Sequence, residues 1–485
     1  MVTVTKTTGD TSLSHVAASG EHTAHVKGAP NYIMEKCTSY MAADGSIVDF
    51  DEAAKAEFTA KVDELSSQAL RVLAIATKDL GAKLPYGEEE ETDAKFDKIV
   101  NGLTLCGLCA SIDPERDGVK DSVLQSRQAG VRVVMITGDY LKTAIAIAKN
   151  INILNRHTFT EGNGEATDCG ALRPHKEGEY LSNPEIDALT KTTSVFARAK
   201  PEDKLEIVKS LQRQGFVCAM TGDGVNDAPA LKQAHIGVAM GITGTEVSKE
   251  ASDMVLLDDN FATIVNAVEE GRLVYANIRR FVKYILGSNV GELLTIAAAP
   301  LLGLVGVPMT PLQILWMNLV TDGFPALALA LEPGESDLMQ RPPAQPGESI
   351  FARGIGSYII RIGLVFASFS ITLMLWVAHS GGPWKTMVFT TLCLAQMGHA
   401  LAARSDRPLL QVPAFSNPWL LVAVVVTSAL QMALLYIPPL SKFFGTEPMS
   451  LLNLAICVGV SLLFFVYLEL ENIWRLNCRN AKAHS

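Results

Sequence analysis

Residues 221–232 read Thr221-Gly222-Asp223-Gly224-Val225-Asn226-Asp227-Ala228-Pro229-Ala230-Leu231-Lys232. Two carboxylates, Asp223 and Asp227, stand on either side of a Gly-Val-Asn turn. That spacing suits oxygen ligation of a hydrated Mg²⁺ beside a phosphate. An Asp/Asn/Gly turn can also do no more than cap a helix. The length of the string, which runs on through Ala-Pro-Ala-Leu-Lys, favours the ligating role.

Upstream, residues 104–273 alternate short apolar runs with helical patterns, which predicts an α/β domain with a parallel sheet. Val131-Arg-Val-Val-Met-Ile136 reads as a buried strand, with Thr137-Gly138-Asp139 at its C-terminal end, where such sheets place ligands. A helix pattern starts at Leu141, so Thr137 and the nearby amides face an anion at a helix N-terminus. Phe216-Val-Cys-Ala-Met220 reads as a second strand that delivers Asp223 to the same edge. Between them, Phe196-Ala-Arg198-Ala-Lys-Pro-Glu-Asp-Lys204 leads into another helix and offers Lys204 as a cation for the same phosphate. A hydroxyl, a lysine and two aspartates on one sheet edge resemble the phosphate-handling set of the haloacid-dehalogenase-like fold.

The chain has 485 residues, a formal net charge of −10 and a mean hydropathy of +0.22. The first part, up to about Lys283, is mixed and charged, and the acidic excess argues against nucleic acid as a partner. Glu88-Glu89-Glu90-Glu91 reads as a solvated loop. Eight scattered cysteines form no dense framework and suit a reduced cytosolic setting. Cys106 and Cys109 form a CxxC inside an apolar run, which favours a buried strand over a redox or zinc site, since no second cysteine or histidine pair is near. Beyond Lys283, six stretches at about 284–304, 311–331, 355–378, 386–403, 418–437 and 451–470 are long and apolar enough to cross a bilayer. Arg279, Arg280 and Lys283 precede the first; Arg341 and Arg353 follow the second, Arg404 and Arg407 the fourth, and Arg475, Arg479 and Lys482 the sixth. The opposite links hold only Lys385 and Lys442, so the positive-inside rule predicts cytosolic termini and a cytosolic soluble half. Met1 opens a polar, Thr-rich segment without a cleavable-signal pattern.

Polar groups inside a span cost about 2.5–3.5 kcal/mol each when charged, so they call for a reason. The first span carries Ser288-Asn289-Val290-Gly291-Glu292, with Asn289 and Glu292 on one helical face. The second carries Asn318, Thr321 and Asp322, which an α-helix stacks on one face. Interhelical hydrogen bonding alone can account for the Asn and Thr. Two carboxylates with amide and hydroxyl oxygens suit a hard cation such as Ca²⁺, and Gly291 and Gly323 are expected to loosen their helices and free carbonyls.

The 221–232 string resembles the hinge motif of P-type cation-transporting ATPases, and the two polar spans resemble the ion-binding helices of sarcoplasmic-reticulum-type calcium pumps, the type IIA group. Lys27-Gly28-Ala29-Pro30, Leu70-Arg71-Val-Leu-Ala and Asp113-Pro114-Glu115-Arg116 follow in family order. The resemblance covers nearly the whole chain, from Lys27 to the sixth span. It implies ATP contacts for Lys27 (adenine pocket), Arg71 (phosphates), Arg116, Arg198, Lys204 and Thr137-Gly138-Asp139. It assigns Mg²⁺ to Asp223 and phosphate arrangement to Asn226, Asp227, Thr137 and Lys204, with Asn289, Glu292, Asn318, Thr321 and Asp322 holding transported Ca²⁺. Glu115 stands where the family usually has a second proline. Gln396, in Ala395-Gln396-Met397-Gly398-His399, stands where those pumps have a glutamate, which leaves its ligand role and the ion count open. Fungal-type sodium pumps share the hinge, but the paired Glu292 and Asp322 favour a divalent ion.

The resemblance implies partial nucleotide-binding (1–98), phosphorylation (99–275) and membrane (276–485) domains, with membrane lipid, ATP and Ca²⁺ as partners. The nucleophile of such pumps lies in Asp-Lys-Thr-Gly-Thr, a string absent from this sequence; neither Asp10 nor Asp139 fits it. The expectation is therefore the C-terminal portion of a calcium pump, from a truncated gene model or partial transcript, inactive alone. A non-catalytic partner of a full-length pump or of the absent half, and a membrane-tethered phosphatase, are the rival classes.

Overall fold

The computed structural model describes residues 1–6, 22–87, 91–112, 114–160, 162–174, 179–304, 306–405, 407–413 and 415–483. Asp10, Glu88, Glu89, Glu90 and Asp113 lie outside the described residues, as do the side chains of Arg479 and Lys482. The chain divides into two compact units, Met1–Val265 and Asn266–Ser485.

The first unit begins with β1 (Val2–Lys6), β2 (His22–Gly28), α1 (Pro30–Glu35), β3 (Cys37–Met41), β4 (Ile47–Asp49), α2 (Glu52–Ser67), β5 (Arg71–Gly81), α3 (Thr92–Ile99) and β6 (Leu103–Ser111). Its six strands form one sheet in the order β1-β2-β5-β6-β3-β4, antiparallel except for the β3–β6 pair. Alternation on β5 sends Val72, Ala74 and Ala76 into the core with Ala24, Val26, Leu103 and Leu105. The CxxC lies on β6, whose first residues are buried; Cys106 is half-buried and Cys109 exposed.

The unit continues with α4 (Val119–Gln128), β7 (Met135–Ile136), α5 (Leu141–Asn150), β8 (Ala166–Asp168), α6 (Asn183–Thr192), β9 (Val195–Ala197), α7 (Pro201–Arg213), β10 (Ala219–Gly222), α8 (Ala228–Gln233), β11 (Ile236–Met240), α9 (Glu246–Glu250) and β12 (Met254–Leu256). The expected parallel pairing is present, but in two three-stranded sheets, β7-β9-β8 and β10-β11-β12. The two site-bearing strands are shorter and less buried than their sequences predict. Among the described residues β7 and β10 each pair with one strand only, so the ladders are short, and Phe216 and Val217 precede β10 at 46% and 66% exposure.

The second unit is helical: α10 (Phe261–Leu301, whose first turn belongs to the first unit), α11 (Pro311–Trp316), α12 (Gly323–Leu329), α13 (Ile355–His379), α14 (Trp384–Ala403), α15 (Pro418–Tyr436), α16 (Pro438–Phe444) and α17 (Leu451–Ala483). Among the described residues, six helical segments are long and apolar enough to cross a membrane. The first expected span is the far end of the continuous α10, which runs from Phe261 through Arg279-Arg280. The second is interrupted: Met317–Thr321, between α11 and α12, is a π-helical turn, closed by Asp322 N–H donating to Met317 O. Such turns insert one extra residue and re-aim the side chains beyond it. α14 is buried nearly all round, as a central helix must be. At one of its ends Arg404 and Glu332, both buried, pair at 3.0 Å, and Asn417 donates to the same carboxylate at 2.8 Å.

Candidate functional site

In the first unit, the polypeptide leaving β7 turns at Thr137-Gly138-Asp139. Thr137 N–H donates to Phe196 O and Ala199 N–H donates to Thr137 O, which lashes this turn to the segment after β9. The Thr137 hydroxyl donates to Asp139 Oδ2 at 3.0 Å. That segment runs into α7, where Lys204 reaches Asp227 Oδ1 at 2.5 Å. Asp227 is buried, and its other oxygen accepts from Asp223 and Gly224 N–H at 3.3 and 3.2 Å. Gly222 makes this possible, because a Cβ there would lie 2.5 Å from Asp227 Cβ. Thr137, Lys204 and Asp227 are thus linked through consecutive contacts, while Asp223 and Asn226 present exposed side chains beyond β10. An exposed carboxylate next to a lysine-paired one is a donor set that suits a hydrated divalent ion at the rim of a phosphate site.

A cavity of about 140 Å³ in the same unit is lined by Asn31, Ser66, Arg71, Gly138, Asp139 and Arg198, among others. Arg71 Nε lies 3.8 Å from Asp139 Oδ1, and Arg198 donates to Asn31 Oδ1 at 3.1 Å. Arg198 also stacks its cation over Tyr140 at 5.6 Å. Burial, reinforced by Asp63, raises the Tyr140 phenol above its ordinary range. Four of the sequence-predicted residues therefore meet at one cavity. Lys27, exposed at the end of β2, and Arg116, exposed before α4, are not among its lining residues. Asn31 and Tyr140 were not singled out from the sequence; the Asn directly after Lys-Gly-Ala-Pro and the Tyr directly after Thr-Gly-Asp were the available signals.

In the second unit, Glu292 on α10 accepts a hydrogen bond from the Gln396 amide on α14, and Gln396 Oε1 accepts from the Thr321 hydroxyl at 2.9 Å. Tyr284 donates to Asp322 Oδ1 at 3.1 Å. Asp322 Oδ2 and Asn289 Oδ1 are buried without a hydrogen-bond partner. Orphaned buried oxygens are costly and fit a cation as their counterpart. Asn318 does not join them: the π turn rotates Thr321 and Asp322 inward and leaves Asn318 exposed, donating to Ile314 O of its own helix at 3.1 Å. Gly291 does not free its carbonyl either. Thr295 Oγ donates to it at 2.8 Å, and the bare Cα instead admits Phe366. Tyr284 escaped the sequence reading; a tyrosine two turns before Glu292 in an apolar helix was its only signal.

An α/β unit with a lysine–aspartate pair at one sheet edge is followed by a bundle of apolar helices that encloses two carboxylates. Residues 306–474 match the family model described as cation transporting ATPase, C-terminus, and residues 1–118 match that of P-type ATPase, cytoplasmic domain N. A calcium-transporting ATPase of Bacillus subtilis is 42% identical over 440 residues, covering 90% of this chain and 47% of that protein. Calcium-transporting ATPase 2, endoplasmic reticulum-type, of Arabidopsis thaliana is 36% identical, covering 91% and 48%. A P-type sodium-transporting ATPase4 of Toxoplasma gondii is 43% identical over 376 residues, covering 73% and 28%. The chain belongs to the P-type cation-transporting ATPases, with calcium-transporting members among its relatives, and is a multi-pass membrane protein. It spans about half the length of the calcium-transporting relatives it matches.

Proposed function

We propose that this chain serves a pump that uses Mg·ATP hydrolysis, through an aspartyl-phosphate, to export Ca²⁺ from the cytosol. The observation that carries the proposal is the pair of orphaned oxygens on Asp322 and Asn289 beside Glu292 in the bundle. In the α/β unit, Asp223 would hold Mg²⁺, whose role is to neutralise phosphate charge. Lys204 and Thr137 would orient the phosphoryl oxygens, Asp227 would hold Lys204 in place, and Arg71, Arg198 and Lys27 would bind the nucleotide. β7 and β10 each have a single strand neighbour among the described residues. In a haloacid-dehalogenase-like arrangement a further parallel strand, bearing the nucleophilic aspartate, stands beside both. That strand would come from a polypeptide carrying Asp-Lys-Thr-Gly-Thr. Membrane and soluble sites would be coupled through α10, which begins at the soluble unit and carries Asn289 and Glu292.

The test is ATP-dependent ⁴⁵Ca²⁺ uptake and Ca²⁺-dependent ATPase activity in a pump that contains this sequence, with and without Asp322→Ala. Activity that survives the substitution unchanged rules out the ion site. For the chain alone, an acid-stable phosphoenzyme formed from ATP would overturn the assignment of the nucleophile to another segment. The neutral Gln396 and the sodium-transporting relative favour one second reading, a pump for Na⁺. It predicts stimulation by Na⁺ and none by Ca²⁺ in the same assay.

A further inference from the structure

Arg361 is an arginine inside an apolar helix, six residues past the start of α13 and flanked by Ile360 and Ile362. A charge in a membrane segment is costly enough to need a partner. Its partner is Glu471 on α17, at 2.5 Å and with a second contact of 3.3 Å. Glu471 lies twenty residues past Leu451, the start of α17, so about 30 Å of helix separates them, the thickness of a hydrocarbon core. The pair therefore sits at one membrane boundary.

Glu471 is shared: Arg475 reaches the same Oε1 at 2.6 Å. Two guanidiniums on one carboxylate leave this cluster with an excess positive charge. Arg475 also stacks on Tyr358 at 5.1 Å, and the Lys283 ammonium lies over the same ring at 4.3 Å. Glu469, two residues earlier on α17, accepts from Leu409 N–H at 2.7 Å rather than from either guanidinium. The Arg361 side chain remains 42% exposed while Glu471 is 9% exposed, so the cation faces outward with its carboxylate behind it. Leu364, one turn past Arg361 on α13, and Leu470 and Trp474, next to Glu471 and one turn past it on α17, are exposed apolar residues. An outward guanidinium at the boundary, above exposed apolar side chains and beside an interfacial tryptophan, has the chemistry of a lipid headgroup site.

We propose that Arg361 and Arg475, each partly neutralised by Glu471, bind the phosphodiester of an anionic glycerophospholipid, with its acyl chains against Leu364 and Leu470. The proposal concerns the bundle alone and is independent of which ion is moved. The test uses the full chain, purified and reconstituted in phosphatidylcholine nanodiscs with a minor fraction of phosphatidylglycerol, followed by mass spectrometry of lipid retained after detergent exchange. Phosphatidylglycerol is expected to be enriched over its input share. Arg361→Gln should lower the enrichment about fivefold, the share of one basic side chain near a membrane surface. Glu471→Gln, which releases both guanidiniums, should raise it, and Lys442→Gln should leave it unchanged. Should Arg361→Gln fail to fold, the opposite sign expected for Glu471→Gln still decides. Equal retention in the wild type and Glu471→Gln overturns the site, and so does full competition by soluble glycerol phosphate, which would assign the cluster to a free anion.

Discussion

Gln396 on α14 stands between Glu292 on α10 and Thr321 in the π turn, donating its amide to the first and accepting the hydroxyl of the second. A neutral amide does here what a carboxylate cannot, since a glutamate would set two negative charges in contact when no cation is bound. Gln396→Glu is therefore expected to lower the melting temperature of the chain in Ca²⁺-free buffer and to enlarge the stabilisation by added Ca²⁺. Gln396→Ala leaves both partners short of a hydrogen bond and should cost about 1–3 kcal/mol regardless of Ca²⁺. Thermal unfolding in detergent with and without Ca²⁺ reads both, and an equal Ca²⁺ response in wild type and Gln396→Glu would count against the cation site.

The Lys204–Asp227 contact should be less costly to break than a bare buried ion pair. Removing one partner of an isolated buried pair costs about 3–5 kcal/mol. Asp227, however, keeps two backbone N–H donors when Lys204 is lost. Lys204→Met is thus expected to destabilise the first unit by about 1–3 kcal/mol, with faster amide exchange at residues 221–227. Asp227→Ala should be worse, because it strands Lys204 and the amides of Asp223 and Gly224 together. Hydrogen exchange on the full chain distinguishes the two, and a larger effect for Lys204→Met would refute this ranking.

The parts legible in the sequence are those that local pattern determines. The turn at 221–227, the helix starting at Leu141, and six apolar helices among the described residues follow from short-range spacing and hydropathy. The features that escaped depend on neighbours distant in sequence. β7 and β10 are short because each has one strand partner among the described residues, which no propensity reports. The π turn breaks the three-and-four spacing that sets Asn318, Thr321 and Asp322 on one face of an α-helix, and its closing bond, from Asp322 N–H to Met317 O, is not signalled by any residue type. Tyr284 reaches Asp322 across 38 residues of sequence, and only the packing of α10 against the turn region brings them together.

Asp259 predicts an acid limb. Burial would push its carboxyl up, but the N–H groups of Ile242 and Thr243 and the Thr243 hydroxyl, at 2.8–2.9 Å, outweigh that and hold it at about 2. A carboxylate whose folded value lies below its unfolded value of about 3.9 adds stability above that value. The contribution is lost as pH falls through the interval from about 4 to about 2. Asp259→Asn tolerates the left-handed backbone at this position (φ 51°) but cannot titrate. It should be less stable at neutral pH, with a shallower loss between pH 4 and 2; exchange at the Ile242 and Thr243 amides across that range is the measurement, and parallel slopes would refute it.

Gly291 predicts a contrast with Gly323. A Cβ on Gly291 would lie 2.3 Å from Phe366 Cδ1 and 2.8 Å from Phe366 Cβ, and the second of these atoms cannot swing away because it is fixed to the backbone of α13. Gly291→Ala must therefore push α10 and α13 apart, an overpacking that costs about 1–3 kcal/mol, and it moves Glu292 away from Gln396 as it does so. At Gly323 the nearest atom to an added methyl would be Asn318 O at 3.6 Å, an ordinary contact. Gly323→Ala should thus be neutral, or stabilising by about 0.4–1 kcal/mol through the lower entropy of the unfolded chain. Phe366→Leu, which shortens the obstructing ring, should recover part of the Gly291→Ala loss but none of the Gly323→Ala effect. Melting temperatures of the two single variants and the Gly291→Ala/Phe366→Leu pair test this, and equal destabilisation at both glycines would mean that backbone freedom, not the approach of Phe366, is what Gly291 provides.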